Sequence, residues 1–76
     1  MLKMPIMAKL EEIRDEGDTK SLGTLSFLQL PAPGDRIEVH RGTAYAEMIV
    51  LYVLHRPVPE GQGEPGATVY GQIQIG

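Results

Sequence analysis

The chain has 76 residues, a net charge of −3, 5% aromatic residues and no cysteine. That length allows one domain, residues 1–76, with a core too small to be very stable without reinforcement such as self-association. The missing cysteines exclude disulfides and thiolate metal sites, and the acidic balance disfavours a nucleic-acid backbone as the main partner. The expected setting is cytoplasmic. Lys3, Pro5 and Lys9 interrupt the stretch where a secretory leader needs an apolar run, and no stretch approaches the ~20 apolar residues that span a membrane as a helix.

At the start, Leu2, Met4, Ile6, Ala8 and Leu10 alternate with Lys3, Pro5, Met7, Lys9 and Glu11. Alternation is the mark of a half-buried strand, expected over residues 6–13. Ile6, Leu10 and Ile13 also fit helical spacing, so a helix over residues 6–16 packed on a four-stranded sheet is the alternative, an α+β fold. Glu11, Glu12, Asp15, Glu16 and Asp18 then crowd a loop with Arg14 and Gly17. A calcium loop needs fixed ligand spacing and a closing Glu, which are absent. A solvated hairpin tip is the simpler reading.

Residues 21–30 read as a second strand. Leu25 and Phe27 face one way and Leu28 and Leu30 the other, a phase change that predicts a bulge, with Gly23 marking close backbone approach. Phe27 is expected in the core. Pro31, Pro33 and Gly34 punctuate the chain. Residues 36–40 then alternate polar and apolar, and Arg41, Gly42 and Thr43 turn into a long strand over residues 44–55.

Within that strand Met48, Ile49, Val50, Leu51, Tyr52, Val53 and Leu54 form an unbroken apolar run. Its β-branched residues and the prolines that follow favour a strand over a buried helix. Strict alternation would put Met48, Val50, Tyr52 and Leu54 on one face and Ile49, Leu51 and Val53 on the other. The run is therefore expected to be the central strand of a curled sheet. One face would line a barrel, and the other would lie under a loop, the N-terminal segment or a second subunit. Residues 56–66, rich in proline and glycine, form an extended loop. Residues 68–75 close the chain as a strand, with Val69, Ile73 and Ile75 inward and Thr68, Tyr70, Gln72 and Gln74 outward. The fold class expected is all-β: a small five-stranded antiparallel barrel, SH3-like or similar.

Chemistry is sparse. His40 and His55 are the only histidines. If the turn pairs His40 with Ala44, His55 lies more than ~30 Å away along a straight strand, too far for a shared metal. His55 reads instead as a hydrogen-bonding residue at a strand end. Ser21 and Ser26 have no nucleophile-elbow context. No glycine-rich phosphate loop leads into a helix. No cofactor, metal site or enzymatic activity is expected. The suggestive set is Arg36, Arg41 and Arg56 with Tyr45, Tyr70, His40 and His55, because small barrels bind single-stranded nucleic acid with cations and aromatics interleaved. Tyr52 is expected in the core instead, and structural tyrosines beside solvated arginines are the plainer account of the others. Free sheet edges invite strand addition, and the last strand carries few charges to discourage it. The leading expectation is a non-catalytic protein-binding module that forms a homodimer through a sheet edge or exposed face. Single-stranded nucleic-acid binding is the alternative.

The string Pro31-Ala32-Pro33-Gly34-Asp35-Arg36-Ile37 resembles the way many small barrels begin an alternating strand, including co-chaperonin subunits and SH3-like domains of the translation and transcription machinery. Together with the long apolar strand ending His55-Arg56-Pro57, it looks like small bacterial or phage barrel proteins. The resemblance covers residues 25–57 and implies a fold, with no functional residue to carry over.

Overall fold

Five strands and no helix make up the described residues, 5–15 and 17–74, of the computed structural model. They are β1 (Ile6–Ile13), β2 (Thr19–Phe27), β3 (Arg36–Arg41), β4 (Ala44–Arg56) and β5 (Gly66–Gln74). They lie in one sheet of order β2-β1-β5-β4-β3. The all-β expectation holds, and the helix alternative for residues 6–16 fails over β1. Alternation decides it: Ala8 and Leu10 are buried on one side, while Met7 and Lys9 are exposed on the other. Three strand pairs are antiparallel, and β1 and β5 pair in parallel with Leu10 beside Val69.

The sheet curls into a half-barrel, so inward side chains of β2 and β3 look across a shared cleft. The core is Ala8, Leu10, Val39, Met48, Val50, Ala67 and Val69, with Leu22, Phe27, Leu30, Ile37, Val53 and Ile73 packed against it. Val69 and Ile73 face inward as expected, while Ile75 lies outside the described residues.

The long apolar run is a strand, but it is not central and it is not hidden on both sides. The centre of the sheet is β5, flanked by β1 and β4. On β4, Met48 and Val50 are buried, whereas Leu51, Tyr52 and Leu54 are 43%, 50% and 48% exposed. The cause is a register shift. Val50 pairs with Gly71 and Tyr52 with Tyr70, which leaves Leu51 as an unpaired bulge residue. One extra residue moves the following side chains to the opposite face, so Val53 turns inward opposite Val69 and Tyr52 turns outward. Tyr52 therefore lies outside the core.

The second strand does carry a bulge, but at Leu22-Gly23 and not at the phase change between Phe27 and Leu28 from which it is expected. Gly23, at φ +92°, has open space where a Cβ would stand, so it serves the bend and not a close backbone approach. Lys9 pairs with Thr24 and Glu11 with Ser21, so β2 holds one more residue than β1 there. Regular pairing ends at Phe27, earlier than expected, and Leu28 is 92% exposed. Phe27 packs against the core.

Candidate functional site

The free edge of β3 is set by the turn before it and the turn after it. In the first, the Asp35 amide donates to the Ala32 carbonyl at 2.9 Å, and Gly34 has φ +92°. Proline in the second position and a positive-φ glycine in the third are what a type II turn requires. The Asp35 carboxylate accepts from the Ala32 amide at 2.8 Å and braces the turn. Gly34 N donates to Val50 O at 2.8 Å, and Val50 N donates to Asp35 O at 2.9 Å, a glycine bulge that starts the β3–β4 ladder. Asp35→Ala is expected to cost about 1 kcal/mol by removing the brace. Urea unfolding with an unchanged slope would register it as a lower midpoint.

The second turn is Gly42-Thr43, with Gly42 at φ +62°, the first position of a type II′ hairpin. It pairs Arg41 with Ala44 and His40 with Tyr45, one residue out from the pairing expected from sequence. In an antiparallel ladder, pairs that exchange hydrogen bonds alternate with pairs that do not. Counting inward from either turn gives the same answer: Ile37, Val39 and Arg41 bond to β4. The amides and carbonyls of Arg36, Glu38 and His40 therefore face the open edge.

Across the sheet, β2 is the other free edge. Among the described residues, no Cα of β2 comes within 8 Å of one in β3. Paired strands stand about 4.8 Å apart, so the seam of the half-barrel is unpaired. A cleft of about 610 Å³ runs between them, floored by Leu10, Leu22, Leu25 and Val39, with Lys20, Glu38 and His40 beside it.

The residues expected to form a nucleic-acid surface separate into two groups. Arg36, His40 and Tyr45 lie on the outer face of the β3–β4 hairpin, His40 and Tyr45 beside the turn and Arg36 at the far end of β3 opposite Ile49. There Arg36 pairs with Glu47, His40 Nε2 lies 3.7 Å from Glu38 Oε1, and the His40 and Tyr45 rings meet edge-on at 4.5 Å. Arg56 and Tyr70 lie on the outer face, toward the other end of β4. Arg56 Nη2 donates to Thr68 Oγ1 at 2.7 Å and helps to bury that outward-facing threonine. The Tyr52 and Tyr70 rings stack at 4.7 Å, with Lys9 and Arg56 nearby. Eleven residues separate Tyr45 from Arg56 along β4, a span of about 36 Å. The two groups do not converge. His55 is exposed opposite Ala67, with no side-chain hydrogen bond among the described residues. The Arg41 side chain lies outside the described residues. Among the described residues, no group of three or more His, Cys, Asp or Glu is placed to hold a metal, and no helix is long and apolar enough to cross a membrane.

Comparison with protein-family models, curated proteins and solved structures finds no match to the chain. The resemblance to small barrels rests on the turn and strand residues alone.

Sequence reasoning missed the charged partners Glu38 and Glu47 and the role of Tyr52. The signal for the first was the two-residue turn, because counting back from Gly42-Thr43 places Glu38 opposite Glu47 and Arg36 two residues further along β3 on the same face. For Tyr52 no local signal existed, since a bulge inside an all-apolar run leaves no break in the pattern. Within the acidic stretch read as a solvated tip, Glu12 is 8% exposed, lying opposite Lys20 with Arg14 Nε at 3.9 Å.

Proposed function

We propose that the protein is a non-catalytic interaction module that self-associates through its open sheet, by an edge or by the exposed face of β4. The observation that carries this reading is the unfinished sheet. Among the described residues, two edges stand unpaired across an apolar cleft, and β4 presents Leu51, Tyr52 and Leu54 to water. Exposed apolar surface next to an open edge gains from cover, and a second copy supplies it. Sedimentation velocity over a range of concentrations tests it. A sedimentation coefficient that rises from monomer toward dimer is expected, and a strict monomer at millimolar concentration would remove self-association.

A second reading has one specific observation in its favour, the stacked Tyr52–Tyr70 pair beside Arg56 and Lys9. Bases stack on such aromatic platforms while cations meet the phosphates. It predicts that an oligothymidylate quenches tyrosine fluorescence at low salt and is released as salt rises. An unchanged signal at low salt removes it. The net charge of −3 and the pairing of Arg36 with Glu47 weigh against it.

A further inference from the structure

We propose that two copies join β3 to β3 in antiparallel fashion about a two-fold axis at Val39, so that Glu38 of each copy faces His40 of the other. This deepens the self-association reading and rests on it.

Three observations select β3. Its ladder with β4 runs without interruption from Arg36 to Arg41, whereas β2 is broken by the bulge between Ser21 and Thr24. Irregular edges resist strand addition and regular ones accept it. The edge is also open, because no Cα of β2 comes within 8 Å of one in β3 and so no described strand of the same chain pairs with it. Finally, the inner side of the edge is apolar, because Val39 lines the cleft floor and Ile37 packs against the core beside it.

Symmetry and charge then select the register. Residues on the same face must oppose each other, so the axis passes through a residue rather than between two. With the axis at Val39, the edge-facing groups of Glu38 meet those of His40 in the second copy and exchange two hydrogen bonds, and the symmetry repeats them. The side chains of Glu38 and His40 are 66% and 63% exposed, and their 3.7 Å contact within one copy would be exchanged for contacts across the axis. With the axis at Glu38, two glutamates would meet on the axis and Arg36 would face His40. Moved to Ile37, it would drive residues 39–41 against the bend at Pro33 and Gly34 after a single pair on each side. The Val39 register sets the Glu38 carboxylate opposite the His40 imidazole, an acceptor opposite a donor, and pairs residues 37–41 of the two copies.

The test mixes two variants. In Glu38→Lys the dimer would place Lys opposite His, and in His40→Glu it would place Glu opposite Glu, so each alone is expected to associate on the order of tenfold more weakly. Mixed, they restore two attractive pairs, Lys to Glu and His to Glu. Native mass spectrometry with one variant nitrogen-15-labelled is expected to show mixed dimers well above the half that chance gives. Pairing within one strand cannot produce that preference. A chance ratio from a dimeric wild type would overturn this register while leaving self-association standing. A wild type that stays monomeric at millimolar concentration would overturn both. Circular dichroism confirms that the variants fold.

Discussion

Gly71→Ala is expected to lower stability by about 1–3 kcal/mol, the usual effect of forcing a methyl group into a filled core. Gly71 is buried in the central strand beneath β4. An added Cβ would stand 2.5 Å from the Met48 side chain and 2.8 Å from the Ile49 carbonyl oxygen. Met48 is wholly buried and has little freedom to retreat, and the carbonyl belongs to the adjacent strand's backbone. For a domain of this size the melting point would fall by about 4–8 °C per kcal/mol. A double-mutant cycle with Met48→Ala separates the two contacts. Met48→Ala alone is expected to cost about 2–5 kcal/mol. In the double variant the new methyl occupies space that Met48 vacates, so the losses should fall short of their sum by roughly 1 kcal/mol. Full additivity would show that Met48 is not what Gly71 accommodates.

Leu10→Ala is expected to cost about 2–5 kcal/mol, through lost burial and the void left behind. Leu10 is fully buried on β1, beside Val69 in the parallel pair, where the chain's first and last strands meet. Its loss weakens the contact that ties the β1–β2 hairpin to the rest of the sheet. Thermal and urea unfolding read the change, and a loss below 0.5 kcal/mol, the size of a surface effect, would contradict the packing described for β1 against β5.

These two sites show how far local pattern reaches. Alternation from Leu2 through Leu10 identified β1, and the turn at Arg41-Gly42-Thr43 identified the β3–β4 hairpin with its register one residue out, because both signals lie within a few residues of what they describe. The parallel seating of β1 on β5 is set by contacts across nearly the whole chain, and no local string encodes it. The bulge at Leu51 was equally hidden, since every side chain around it is apolar and either phase satisfies the pattern. That one residue sends Tyr52 outward, exposes the outer side of β4 and creates the aromatic pair with Tyr70. Of the candidate site residues, the types were readable from sequence, but their division between the two ends of β4 followed from strand length and register.

The claim on which the proposed dimer depends is that β3, which among the described residues ends the sheet with a regular, unpaired edge, is completed there by a second copy. Residue-resolved amide exchange at several protein concentrations tests it most directly. Ile37 and Val39, bonded to β4, should be protected at every concentration. Glu38 and His40 should exchange rapidly in dilute solution and slow as concentration rises. Protection of Glu38 and His40 that is already complete at the lowest concentration, or rapid exchange of both at the highest, would contradict it.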